Sequence, residues 1–390
     1  MNLYAFELGR KKDLCFAELI AVLGEKALVE RNLDTAIFKL EKEQEDRIQN
    51  VQDSLGGTIK IVKISKKIDA LDEKEFMKFI ENHLMDNFQT RSGKIPFSIT
   101  LLSFKNPKLI NIKNLLNFSK KILKSLGLNS RFVNKNFENT RSSTIYKARV
   151  IEKGTDINII RGEDTFFLGE AVTIQNIDFY SERDYNKPKR DAKVGMLPPK
   201  LAQVMINLAG PYTKTIYDPF CGTGTVLMEA AIMAKKGMIG SDIDQRMIDY
   251  TQENMEWIKT RIKNPVNYDL FCKDARFLIP GDLKIDIDAI VTETYLGEPQ
   301  SQPPSADKCE KIFRELSNLN LNWLRAAAGI LKRSAKIVMC IPAFRKDRGL
   351  EYFPKFDEIA KMAGFQILES FIYDREEQIV ARNIKVLQKL

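Results

Sequence analysis

One stretch constrains the fold of this chain more than any other: Thr215-Ile-Tyr-Asp-Pro-Phe-Cys-Gly-Thr-Gly-Thr-Val-Leu-Met-Glu-Ala-Ala231. Residues 216–220 are mostly apolar and run into a turn marked by Pro219, the pattern of a short buried strand. Gly222 and Gly224 follow, and without a Cβ each lets the backbone turn sharply and approach a ligand closely. Residues 225–234 then read as a helix whose first N–H groups lack partners within the helix and face that turn.

The residues around the turn restrict the ligand. A phosphate-binding loop requires Gly-Lys-Ser/Thr, but Gly224 is followed by Thr225 and Val226. The dinucleotide fingerprint requires a third glycine, and Leu227 stands there. A second strand-like run, residues 237–242, ends at Asp242, where open α/β sheets carry the acid that accepts hydrogen bonds from ribose hydroxyls. A ribose-bearing ligand without a pyrophosphate fits, and S-adenosylmethionine is one; Asp218 is placed to meet its cationic methionine end. A plain strand-turn-helix, with glycines serving only packing, is the rival reading; the acid at the second strand end weighs against it.

A length of 390 residues suggests two or three domains, and 44% apolar with 29% charged residues is a globular composition. The five cysteines (Cys15, Cys221, Cys272, Cys309 and Cys340) form no C-x-x-C pair, and His83 is the single histidine. A zinc site is not expected, and the thiols read as reduced and intracellular. Residues 1–10 carry charges where a signal peptide needs an apolar core, and no apolar run is long enough to span a membrane. The expectation is a soluble, cytoplasmic protein, monomeric or weakly self-associating.

The net charge of +9 is unevenly distributed. Residues 91–150 hold thirteen basic side chains and one acid, Glu138, a local balance of +12. Among the thirteen are Lys105, Lys108, Lys113, Lys120, Lys121, Lys124, Arg131, Lys135, Arg141 and Lys147. Such a basic module beside a slightly acidic remainder predicts a nucleic-acid footprint; a solvated lysine face is the alternative, which the near absence of acids disfavours.

Read in order, residues 1–56 form a small α+β unit: a strand at 3–8, a helix capped by Asp13 and ended by Gly24, strands at 27–31 and 35–40, and one charged helix at 41–55. Gly56-Gly57 reads as a joint. Residues 57–175 form a second α+β unit with strands at 58–64, 95–104, 131–133, 144–151 and 157–160 and helices at 72–88 and 108–126. Residues 176–200 are polar and charged and read as a linker. Residues 201–390 alternate strands with helices, as a doubly wound sheet does, and close on an antiparallel pair near 366–373 and 379–387.

These motifs resemble the tRNA guanine N2-methyltransferases that carry an N-terminal THUMP module, over nearly the whole chain. Tyr4-Ala-Phe-Glu-Leu-Gly-Arg10 with Ala17-Glu-Leu19 resembles the family's ferredoxin-like domain, and the basic unit resembles THUMP. The stretch 183–190 and Met196-Leu-Pro-Pro-Lys200 resemble the linker, and Asp218-Pro-Phe-Cys-Gly-Thr-Gly224 resembles the cofactor loop. The resemblance implies an α/β fold: a ferredoxin-like domain at 1–56, a THUMP-like RNA-binding domain at 57–175, a linker at 176–200, and a Rossmann-like class I methyltransferase domain with a seven-stranded doubly wound sheet at 201–390. It implies S-adenosylmethionine held by Asp218, Phe220, Gly222, Thr223, Gly224, Asp242, Ile243, Asp274 and Ala275, with tRNA held by the ten basic residues named above.

One motif departs from the family. Enzymes that methylate exocyclic amines usually follow the fourth strand with Asp or Asn, two prolines and an aromatic residue. Here the run is Thr292-Glu-Thr-Tyr-Leu-Gly297: Glu293 replaces the acid, both prolines are missing, and Tyr295 comes one residue early. The resemblance then assigns Glu293 and the carbonyl of Thr294 to accept hydrogen bonds from the guanine amine, with Tyr295 stacking on the base. Two alternatives stay open: an RNA-binding protein that keeps the cofactor pocket without methylating, and a DNA amino-methyltransferase.

Overall fold

A computed structural model describes residues 2–191, 196–300, 302–347, 349–375 and 377–390. Residues 192–195 of the expected linker, including Gly195, lie outside the described residues. The chain divides into two compact units, Met1–Phe179 and Tyr180–Leu390.

In the first unit the strands are β1 (Asn2–Leu8), β2 (Leu28–Asn32), β3 (Thr35–Leu40), β4 (Thr58–Ile68), β5 (Lys94–Leu102), β6 (Asn129–Phe132), β7 (Thr155–Arg161) and β8 (Phe166–Ile174). They form one sheet in the order β2-β3-β1-β4-β8-β7-β5-β6, parallel at β5–β6 and β5–β7 and antiparallel elsewhere. Its helices are α1 (Lys12–Leu23), α2 (Lys42–Asp46), α3 (Ile48–Ser54), α4 (Glu73–Phe88), α5 (Ile112–Ser125), α6 (Ser142–Lys147) and α7 (Val150–Lys153). The helix α8 (Ile177–Tyr185) begins at the unit's end.

Four local readings change. Asp13 does not cap α1: it lies inside the first turn and accepts from Arg31 Nη2 at 2.5 Å. The charged helix breaks at Arg47 into α2 and α3. Residues 144–151, whose β-branched side chains suggest a strand, form α6 and α7, because Ile145 and Val150 bury against the unit as helical residues. Gly56-Gly57 is a close approach: Glu18 accepts from both N–H groups at 2.9 and 2.8 Å, and a Cβ on Gly57 would meet Cys15 Sγ at 2.8 Å. At the centre of this sheet Lys60 and Asp156, both fully buried, pair at 2.6 Å, and Ser98 and Thr100 donate to the same carboxylate. Buried charges need such partners.

The second unit contains β9 (Thr215–Asp218), β10 (Gly237–Asp242), β11 (Tyr268–Cys272), β12 (Ala289–Glu293), β13 (Lys336–Lys346), β14 (Gly349–Tyr352), β15 (Phe365–Tyr373) and β16 (Val380–Lys389). The sheet runs β11-β10-β9-β12-β13-β16-β15, with β14 beside β13. The first five strands are parallel, and β16 runs antiparallel to both β13 and β15. Its helices are α9 (Pro199–Leu208), α10 (Thr225–Ile232), α11 (Gln245–Lys259), α12 (Ala306–Ile330) and α13 (Phe356–Met362).

Alternate strand residues point to opposite faces. Tyr217, Ile239, Ile290 and Met339 pack with α12 and α13, while Cys340 meets Met205 of α9 on the other face at 3.5 Å. The sheet is therefore covered on both sides, as a parallel sheet requires. The α12 stripe Ile312, Phe313, Leu316, Trp323, Leu324 and Ala327 is buried, each large side chain contributing about 1.5–3 kcal/mol. Strand β13 runs on through Pro342, which lies past the end of β12, so its missing N–H costs no bond to that strand.

Candidate active site

The sheet sets the site. The chain leaves β9 for β10 on one side and later returns as β12 on the other, so the strand order reverses beside β9. Ligands of open α/β sheets bind in the crevice beyond the strand ends at such a point. Parallel register brings acids to that edge: Asp218, Asp242 and Glu293 are the last residues of β9, β10 and β12, and Asp274 lies two past the end of β11. Around them opens a cavity of about 970 Å³. Every residue expected to hold the cofactor or carry the chemistry borders it except Gly224.

Gly224 acts from behind. It has φ +78°, and a Cβ there would lie 2.8 Å from Thr251 on α11. Gly222, with φ +52°, is held from both sides: its N–H donates to Asp242 at 3.0 Å, and its carbonyl accepts from Thr251 at 2.7 Å. The other Asp242 oxygen accepts from the Asp244 N–H at 3.0 Å, so this acid shapes the loop as well as facing the cavity. Burial raises its pKa.

Asp218 is buried; one oxygen accepts from the Phe220 N–H at 3.1 Å and from the Thr292 hydroxyl at 2.6 Å. Burial pushes its carboxyl up to about 7 against those two hydrogen bonds, and the charges of Asp242 and Glu293 add to the rise. Phe220 stands edge-on to the buried Trp323 at 5.5 Å, which fixes the ring at the cavity wall. Thr223 is buried, Ile243 is exposed, and Ala275 is buried in the turn after β11. Asp274 is engaged by its neighbour: Arg276 donates through its backbone N–H at 2.9 Å and its guanidinium at 2.6 Å, which holds the carboxyl below its usual range.

At the end of β12, Glu293 is largely buried and pairs with Arg382 Nε on β16. Arg382 also donates from Nη2 to the Met196 carbonyl at 3.3 Å. Thr294 donates both its hydroxyl and its backbone N–H to the Cys340 carbonyl, at 2.8 and 3.3 Å, and the residue borders the cavity. Tyr295 borders the cavity and is 47% exposed.

Several supporting residues escape motif reading. The stretch read as a linker is bonded to the cofactor loop. Arg183 of α8 pairs with Glu229 of α10 through Nε at 2.6 Å and Nη2 at 3.1 Å. Lys187 is buried and donates to the hydroxyls of Thr223 and Thr225 at 3.2 and 3.0 Å; burial lowers its pKa to about 8. Asn254 of α11 bonds both the Lys189 backbone and the Thr223 carbonyl. Arg382 has no sequence signal beyond the alternation of its strand.

The ten predicted RNA-binding residues all lie in the first unit and all are exposed. The structure gathers part of them: Lys113, Lys120 and Lys124 share a face of α5, beside β6 with Arg131 and the turn carrying Lys135. Lys113 lies over the exposed Phe137 ring at 5.2 Å and Lys120 over Phe132 at 6.0 Å. Lys105 and Lys108 precede α5, whereas Arg141 and Lys147 belong to the α6 region.

Residues 187–316 match the methyltransferase domain of the family described as UPF0020, RMKL-like. A tRNA (guanine(10)-N2)-dimethyltransferase of Methanothermobacter thermautotrophicus is 35% identical over 185 residues, 46% of this chain and 48% of that protein. Its counterpart in Methanocaldococcus jannaschii is 32% identical over 173 residues, 41% and 45% of the two chains. The chain thus spans about half the length of the curated relatives it matches. The crystal structure of TrmN from Thermus thermophilus aligns over 100% of both chains at 15% identity and a TM-score of 0.54, a shared fold.

Proposed function

We infer that this chain, with a Rossmann-like methyltransferase domain of the RMKL-like family at residues 187–316, transfers a methyl group from S-adenosylmethionine to the N2 amine of a guanosine in tRNA. The supporting observation is the ring of four carboxylates at one sheet edge around a cavity of about 970 Å³. Of the residues that border it, Asp242 and the Gly222 turn would hold the ribose end, Asp218 would face the methionine cation, and Asp274 with Ala275 would border the adenine. The cofactor supplies an electrophilic methyl on a sulfonium.

The protein's task is alignment and charge. The guanine amine is a poor nucleophile because its lone pair is delocalised into the ring. A carboxylate oxygen of Glu293 and the Thr294 carbonyl would accept hydrogen bonds from its two N–H groups as positive charge develops, and Tyr295 would stack on the base. A paired guanosine must first leave its helix, at about a few kcal/mol. The basic face of the first unit offsets this by holding the rest of the RNA. In this reading residues 1–56 are ferredoxin-like and 57–175 THUMP-like. Incubation with labelled cofactor and total tRNA, followed by nucleoside mapping, tests the function: N2-methylguanosine is expected. Label on duplex DNA alone would favour the DNA enzyme, and no label on any RNA a binding protein.

Asp218 gives cofactor binding a pH dependence. With its carboxyl near 7, part of the population is protonated at neutral pH, and a cation arriving beside it expels that proton. Affinity should rise with pH, by up to about tenfold per unit below 7, then level off. Calorimetry in buffers of different ionisation enthalpy should show proton release that Asp218→Asn abolishes; equal release in both proteins removes Asp218 from the site. Folding of the free protein has the opposite sign. Between 3.8 and about 7 the folded state holds a proton that the unfolded chain has lost, so stability falls as pH rises through that window.

The basic face is tested by salt. Replacing Lys113, Lys120 and Lys124 with glutamine should weaken tRNA binding and flatten its log–log salt slope by up to about 0.7–0.9 per lost phosphate contact. An unchanged slope would make the face ordinary solvated surface.

A further inference from the structure

Glu293 holds the position of an amine acceptor without the devices that usually fix one. It has one more rotatable bond than aspartate, and no proline follows it to stiffen the turn. Something else must hold the longer arm if the carboxylate is to meet a nucleophile at a fixed distance.

Register supplies the candidate. Glu293 lies opposite Cys340 on β13, and across β13 Arg382 of β16 lies opposite Pro342. The Arg382 side chain crosses β13 and meets Glu293 Oε1 through Nε. Its Nη2 donates to the Met196 carbonyl, so the planar guanidinium is fixed at two points. The side chains of Arg382 and Glu293 are only 8% and 16% exposed, which is where an ion pair is least screened.

We propose that Arg382 is a positioning residue: it clamps one oxygen of Glu293 and leaves the other turned to the cavity, replacing the rigidity that the missing prolines would give. The proposal rests on the reading of Glu293 as the amine acceptor. Burial opposes the charge on Arg382, but Glu293, together with Cys340 and Tyr373, offsets this and raises the guanidinium's pKa. Removing the guanidinium therefore frees the arm.

The test is single-turnover methylation of tRNA by wild type, Arg382→Gln, Arg382→Lys, Glu293→Gln and the double glutamine variant. Arg382→Gln should be slower by about tenfold to a hundredfold with tRNA affinity unchanged. Arg382→Lys keeps a cation and should restore part of the rate. On the Glu293→Gln background, loss of Arg382 should add little.

A second readout needs no turnover: the preference for a S-adenosylhomocysteine analogue that carries an amine in place of the methylsulfonium, over S-adenosylhomocysteine itself. Wild type should prefer the amine, and Arg382→Lys should keep more of that preference than Arg382→Gln. A wild-type preference in Arg382→Gln, or an equal fractional loss with and without Glu293, would overturn the clamp while leaving the Glu293 assignment intact. A wild-type rate in Glu293→Gln would instead remove that assignment, and the clamp with it. Should Arg382→Gln fail to fold, a Lys variant with neither restored rate nor preference would overturn the proposal.

Discussion

Glu293→Gln is expected to slow single-turnover methylation of tRNA by about two to three orders of magnitude, the usual loss for one well-placed electrostatic contact. The glutamine keeps the shape and an acceptor oxygen but not the charge, so the loss should appear when the amine becomes positive and not when RNA or cofactor binds. Affinities for both should stay near wild type. The pairing with Arg382 adds a second consequence. Glutamine leaves a buried guanidinium without its counter-charge, so the variant should also melt at lower temperature, and rates must be compared well below both transitions. Glu293→Asp restores the commoner residue on a backbone without prolines. Its arm is one methylene shorter, reaches neither Arg382 nor the amine as well, and should be impaired too. Equal rates for wild type and Glu293→Gln would take Glu293 out of the mechanism.

The sequence made the second unit legible because its signals are local. A glycine pair between a strand and a helix, and an acid at the next strand end, need only a few residues to be recognised. The structure places Asp218, Asp242 and Glu293 at adjacent strand ends because parallel register follows from the βαβ order. What stayed hidden is what depends on long-range pairing. Glu293 follows the apolar run 289–291, and nothing near it in the sequence points to its partner, which stands 89 residues away on an antiparallel strand. The polar composition of 176–200 reads as a linker, yet Arg183 and Lys187 are buried against α10 and the glycine turn. Charged residues are normally exposed, so only their partners reveal the exceptions. In the first unit, the α6–α7 stretch was misread because β-branched residues favour strands only where a sheet position is available.

The largest stability effect should come from that hidden pairing. Arg183 and Glu229 are 2% and 0% exposed and meet through two hydrogen bonds at 2.6 and 3.1 Å. Arg183 also lies 4.4 Å from the Tyr180 ring centre, which fixes the guanidinium plane. Burial raises the pKa of the Glu229 carboxyl, and the Arg183 charge pulls it back. Glu229→Gln removes the counter-charge of a buried guanidinium. Loss of one partner of a buried pair typically costs about 3–5 kcal/mol. Replacing both, as Arg183→Met with Glu229→Leu, strands no charge and should recover much of that loss, since burying two charges nearly cancels their attraction. Urea unfolding of the two single variants and the double variant measures this directly. The midpoint should drop steeply for Glu229→Gln and far less for the double variant. Because Glu229 lies one turn beyond Thr225, whose hydroxyl accepts from Lys187, Glu229→Gln should also loosen the glycine turn and weaken cofactor binding. A Glu229→Gln protein within about 1 kcal/mol of wild type would mean that α8 is held by packing alone and that the ion pair contributes only orientation.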